Sequence, residues 1–189
     1  SAVGHAPQPI TEAEAKVPMP PEDEATLWNL PDWLIPLFNE ALGDDAGATA
    51  LALQERAPVF LRVNIAKSDR AAAIKHLAGE GITAEANPLC DTALTVTDGT
   101  RKIRNSTAYA EGLVELQDGA SQAVVAALPA GAKILDYCAG GGGKALAVAA
   151  QPDRSVYAHD IDPRRMADLT GRAERAGAQV MQLTTEALQ

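Results

Sequence analysis

The spacing of apolar residues changes repeatedly along this chain, and each change marks an element. Residues 1–26 carry no apolar period. Pro7, Pro9, Pro18, Pro20 and Pro21 interrupt any helix, and Glu12, Glu14, Glu22, Asp23 and Glu24 solvate the stretch. That pattern predicts an acidic, proline-rich linker. Over 27–57 apolar residues recur at roughly helical spacing, first in LWNLPDWLIPLFNEAL after an Asp32 cap, then from Ala46 to Gln54, which predicts a helical segment. Trp28, Trp33, Phe38 and Phe60 fall on apolar helix faces or beside a strand and are expected in the core. Val59, Leu61, Val63 and Ile65 then alternate with Phe60, Arg62 and Asn64, a strand. Ser68 is placed to cap a helix through Ile74 and Leu77 that ends at Gly79 and Gly81. TALTVTDGTRKIR alternates into Asp98-Gly99 and back through Ile103, which predicts a hairpin. A short helix in STAYAEGL, a strand closing at Leu116 and a connecting helix complete an α+β module over 58–128.

From 129 the period changes again. KILDY predicts a buried parallel strand, Gly143 to Ala150 a helix, SVYAHD a second strand, PRRMADLTGRAERAG a helix and AQVMQL a third strand. This β-α-β-α-β order over 129–189 is expected to be the first half of a doubly wound sheet, a fragment that needs further strands.

Composition narrows the field. A hydrophobic content of 47% supports a packed core, and aromatics at 4% require that core to be mostly aliphatic. A net charge of −9 does not mark a general nucleic-acid binder. Cys90 and Cys138 lie far apart with no histidine cluster nearby, so neither a zinc site nor a secreted disulfide scaffold is expected. No apolar run reaches transmembrane length. A cytoplasmic, metal-free monomer is the expectation.

The candidate chemistry lies in ILDYCAGGGGKALAVAA, where four glycines, Gly140 to Gly143, join a strand to a helix. A triphosphate loop fails, because Cys138 stands where its first glycine belongs and Ala145 where its hydroxyl belongs. A dinucleotide fingerprint fits as Gly140-x-Gly142-x-x-Ala145, with Asp160 twenty positions after Gly140 as the ribose acid. An S-adenosylmethionine loop uses the same geometry, with Asp160 on the ribose and Asp136 steadying the loop or facing the methionine end. Glycines chosen only for close packing at a helix start form the remaining alternative. Asp162, before Pro163, is expected to cap a helix.

Several stretches together resemble the Sun/RsmB-type RNA cytosine methyltransferases. LDYCAGGGGKALAVAA is similar to their LDxCAAPGGKTxxLA signature, and APVFLRVNIAKSDR to the strand that opens their RNA-binding accessory module. Gly81-Ile82, STAYAEGLVELQDGASQ and HDIDPRRMADLTGRAERAG follow in the family's order, from about Pro31 onward. The resemblance implies an α/β fold, a partial Rossmann-like methyltransferase sheet preceded by a small α+β (ferredoxin-like) RNA-binding module. It implies S-adenosyl-L-methionine as cofactor, with Asp136, Cys138, Ala139, Gly140, Gly141, Gly142, Gly143, Lys144, Asp160 and Arg165 around it. It implies RNA, ribosomal RNA in particular, as partner, with Arg62 and Asn64 in contact. Arg101, Lys102 and Arg104 form a second basic group.

In this family a cysteine thiolate adds to the cytosine ring so that carbon 5 can accept the methyl group, and a second cysteine assists release. Their motifs, APCSG and TCS, are absent from this sequence. Cys138 belongs to the cofactor loop and has no adjacent base, so it is not the expected nucleophile. The chain as given is therefore expected not to transfer a methyl group by itself. Gly140 and Gly141 replace the family's Ala-Pro, and Ala145 its Thr or Ser, which loosens the loop. A non-catalytic RNA-binding or assembly module is the alternative from another class. An NAD enzyme would account for nothing before Lys133.

Overall fold

The computed structural model describes residues 9–16, 21–129, 131 and 133–188. Part of the expected linker, 1–8 and 17–20, lies outside the described residues. Residues 9–16 are exposed, with the Thr11 amide and hydroxyl both on a Glu14 carboxylate oxygen at 2.8 Å. Helix begins within the expected linker: α1 spans Glu24–Trp28, its first turn capped where Asp23 accepts from the Thr26 amide at 2.8 Å.

The chain forms two compact units, Ser1–Ala57 and Pro58–Gln189. In the first, α1 is followed by a 3-10 turn at Asp32–Leu34, α2 at Ile35–Leu42 and α3 at Ala46–Gln54. Trp28 is buried against Ala46 and Ala50, with Leu30, Ile35 and Phe38 alongside. Two expectations fail here. Asp32 lies inside the 3-10 turn, after Pro31, and its side chain caps nothing. Trp33 is 68% exposed, because the tighter turn breaks the helical period and moves it off the buried stripe.

The second unit holds two sheets. The first runs β1 (Val59–Val63), α4 (Arg70–Gly79), β2 (Thr83–Ala86), β3 (Ala93–Asp98), α5 (Thr107–Ala110) and β4 (Val114–Leu116). Its strand order is β2-β3-β1-β4, every neighbour antiparallel. Leu61, Val63, Leu77, Ile82, Leu94 and Ile103 form its core. The cap of α4 is Asp69, which accepts from the Ala72 amide at 2.8 Å, rather than Ser68. The hairpin also differs from expectation. β3 pairs with β2, Ala84 facing Val96, while Thr100–Asn105 winds into 3-10 turns that plug Ile103 into the core. TAEA has one inward alanine and no β-branched alternation, so its pattern carried no strand signal. Ile65 lies beyond the end of β1 and is exposed.

Helix α6 (Gly119–Ala126) leads to the second sheet, β5 (Lys133–Asp136), β6 (Ser155–Ala158) and β7 (Val180–Gln182), parallel in the order β5-β6-β7. Helix α7 (Gly143–Ala149) connects β5 to β6. A 3-10 turn at Pro163–Met166 and α8 (Leu169–Ala176) connect β6 to β7, with Gly177 left-handed at the end of α8. Leu146, Val148, Val156, Ala158, Met166 and Leu169 form this core. The fold is α/β: a ferredoxin-like sheet followed by a three-stranded Rossmann-like sheet.

Candidate cofactor site

The glycine run lies between β5 and α7 and is fixed largely through its backbone. The Asp136 carboxylate accepts from the Ala145 amide at 3.0 Å, capping the first turn of α7. Its main-chain oxygen accepts from the His159 amide, and the Ala139 amide donates to the His159 oxygen, both at 2.9 Å. These bonds carry the β5–β6 pairing into the loop. The Gly142 amide closes a turn on the Ala139 oxygen at 2.8 Å. Gly140 and Gly142 have φ of +50° and +77°, a region costly for residues with a Cβ. At Gly142 a Cβ would also overlap the buried Leu169 side chain.

Asp160, just past β6, is 2% exposed. One oxygen accepts from the Gly140 amide at 2.9 Å and the other from the Asp162 amide at 3.1 Å, while Arg165 Nη1 lies 3.3 Å away. The Asp162 amide above all, then the Gly140 amide and Arg165, hold its carboxyl below the ordinary value against the opposing effect of burial. Asp162 caps the following 3-10 turn and chelates Arg164 through Nε and Nη2, both at 2.9 Å. Lys144 is exposed on the first turn of α7 and, with Asp136, borders an apolar hollow of about 160 Å³ beside Leu135 and Val148. Cys138 is an exposed free thiol. Among the described residues no cluster of His, Cys, Asp and Glu could hold a metal, and no helix is long and apolar enough to cross a membrane.

Residues 30–101 match the family model described as Methyltr_RsmF/B-like, ferredoxin-like domain. The chain is 36% identical to "Ribosomal RNA small subunit methyltransferase B" of Xanthomonas campestris pv. campestris over 140 residues, 72% of this chain and 32% of that protein. Among solved structures, that of PH0851 superposes with a TM-score of 0.77 at 26% identity, covering 89% of this chain and 40% of that one. NSun6 from Pyrococcus horikoshii, solved with SFG, superposes with a TM-score of 0.71 at 15% identity, covering 82% and 65%, a likeness of fold. The chain belongs to the RsmB-type methyltransferase family. It spans about a third of the length of the curated relatives it matches.

In this RsmB-type chain the two residues expected to touch RNA are buried and bonded within the protein. Arg62 is 4% exposed and its Nη1 donates to Gln117 Oε1 at 2.6 Å and to the Gly143 oxygen at 2.7 Å. Burial pushes its pKa down to about 10, partly offset by Glu115, so it stays cationic at neutral pH. Asn64, also buried, donates to the oxygens of Gly112 and Ala176 at 2.9 and 2.8 Å. On the face of β1 opposite its apolar core, polar residues meet α6, the start of α7 and the end of α8, and become fasteners to them.

The other fasteners lie within the quoted stretches but were not expected as such. Lys67 donates to the oxygens of Glu111 and Arg175 at 2.8 and 2.7 Å. Glu115 pairs with Arg175 at 2.8 Å and lies 3.6 Å from Arg172, whose Nη1 donates to the Gly141 oxygen. His159 is buried between the Tyr137 oxygen and the Thr185 hydroxyl, at 3.0 and 3.1 Å. Each role depends on a partner from a distant segment, which no local motif announces.

Proposed function

We propose that this RsmB-type chain holds S-adenosylmethionine on the Gly140–Gly143 loop, as part of an enzyme that methylates carbon 5 of cytosine in ribosomal RNA of the small subunit. The observation that carries this reading is the loop itself. Two left-handed glycines turn over the end of β5, and the ionised Asp160 at the end of the adjacent strand fixes the Gly140 amide. The residues fit the group. Gly140 and Gly141 have no Cβ, and the groups beside them are the ends of the Arg165 and Arg172 side chains, so a cofactor could approach the backbone where Arg165 moves away. The Asp160 carboxylate retains acceptor capacity for ribose hydroxyls once Arg165, 62% exposed at the side chain, swings aside. Ile161, exposed beside Asp160, offers an apolar surface for a flat base. Lys144 and the Asp136 end of β5 border the opposite side of the loop.

The bound cofactor would supply an electrophilic methyl group. This chain's residues bind and orient it; Cys138 is not the nucleophile, because no base lies beside it in the sequence and its thiol sits within the cofactor loop. RNA contact belongs to exposed cations rather than to Arg62 and Asn64. Arg101 and Arg104, on the 3-10 segment after β3, are such groups.

Calorimetric titration of the whole chain with S-adenosylmethionine, and separately with NAD, tests the reading. S-adenosylmethionine is expected to bind and NAD to bind far more weakly; tighter binding of NAD would overturn it.

A further inference from the structure

Two arginines outside the glycine run grip it through its carbonyl oxygens. Arg172, on α8, donates to the Gly141 oxygen, and Arg62, on β1 of the ferredoxin-like sheet, donates to the Gly143 oxygen at 2.7 Å. Both are anchored on β4 or just after it. Glu115 lies 3.6 Å from Arg172, and Gln117 accepts from Arg62 at 2.6 Å. Because the peptide group is planar, fixing the Gly141 oxygen also fixes where the Gly142 N–H points, and fixing the Gly143 oxygen does the same for Lys144. Side chains normally restrict such a loop through their own packing. Four consecutive glycines supply none; Asp160 and the Ala139 oxygen hold the Gly140 and Gly142 amides, and the two arginines add the restraint on the Gly141 and Gly143 oxygens.

We propose that Arg172 and Arg62, held by Glu115 and Gln117, are positioning residues for the cofactor loop. The ferredoxin-like sheet thereby sets the affinity of that loop for its ligand without touching the ligand. The affinity part of this inference rests on the S-adenosylmethionine reading above; the loop-ordering part does not.

Arg175 provides the control. It also pairs with Glu115, at 2.8 Å, and lies over the Tyr109 ring at 4.5 Å, but it makes no bond to the glycine run. Arg172→Met and Arg175→Met each remove one cationic partner of Glu115, so a merely structural role predicts similar effects from both. Amide hydrogen exchange of the whole unliganded chain reads loop order directly. Arg172→Met is expected to speed exchange at Gly140–Lys144 about tenfold or more, and Arg175→Met to leave it within about twofold of the parent. Titration with S-adenosylmethionine is expected to show about fivefold or greater weakening for Arg172→Met alone. Equal exchange at the loop in the two variants overturns the proposal, whatever their melting temperatures. A parent chain that fails to bind S-adenosylmethionine counts against the cofactor reading, and the exchange comparison then decides loop positioning by itself.

Discussion

A carboxylate at the end of a parallel strand can serve a helix, a loop or a ligand, and Asp136 and Asp160 divide these tasks. Asp136 caps α7 through the Ala145 amide, whereas Asp160 holds the Gly140 and Asp162 amides and faces Arg165. All of these donors favour the ionised form of Asp160, so its native pKa lies below its unfolded value, near 3.9 for a free aspartate. Its stabilising contribution is therefore complete above the unfolded value and is lost as pH falls through the lowered native one. Asp160→Asn removes that contribution. The gap in urea midpoint between the parent and this variant is expected to be constant near neutral pH and to narrow below about pH 4; a gap that persists unchanged in strong acid would contradict the assignment. Gly142 can be tested by contrast with Gly171. Alanine at 142 meets both a φ of +77° and the Leu169 side chain, whereas a Cβ at Gly171, within α8, meets nothing. Chemical denaturation is expected to show a loss of about 2–4 kcal/mol for Gly142→Ala and a gain of up to about 1 kcal/mol for Gly171→Ala.

Strand β1 shows what alternation can and cannot say about an element. The period of two correctly separates Leu61 and Val63 from Arg62 and Asn64, but it does not reveal what lies on the polar side. Here that side is buried as well, and its residues bond to Gly143, Gly112 and Ala176. Arg62→Met keeps much of the volume but leaves Gln117 and the Gly143 oxygen without their charged donor. It is expected to cost about 1.5–3 kcal/mol by urea denaturation, with the loss falling on the contact between the sheets rather than on the core of the first. If the polar face of β1 were open to solvent, Arg62→Met would cost no more than a surface substitution, within about 0.5 kcal/mol. Helices were legible from apolar spacing alone in α3, which has no side-chain cap, and from a cap beside inward Ile74 and Leu77 in α4, with that cap displaced by one residue to Asp69. β2 was not legible, because TAEA presents one small inward side chain and owes its place to pairing with β3.

At the scale of the molecule, the Pro58–Gln189 unit is one body because backbone carbonyls of one sheet's connections are satisfied by side chains from the other. Lys67 reaches the Arg175 oxygen at the end of α8, Asn64 the Ala176 oxygen, and Gly112 has no Cβ where one would overlap the Arg175 oxygen. The sequence by itself determined most of the elements, the β-α-β-α-β order of the second sheet, and the position of the glycine loop with Asp136 and Asp160 at strand ends. These follow from short-range periods, caps and glycine spacing, which act over a few residues. Only the tertiary structure decided that Arg62 and Asn64 face inward, that Arg172 holds the loop, and that Trp33 stays on the surface. Those outcomes depend on which distant surface covers a given face, and burial turns a polar side chain into a fastener when a partner far along the chain, 55 to 112 residues away for Arg62, Asn64 and Lys67, supplies the matching group.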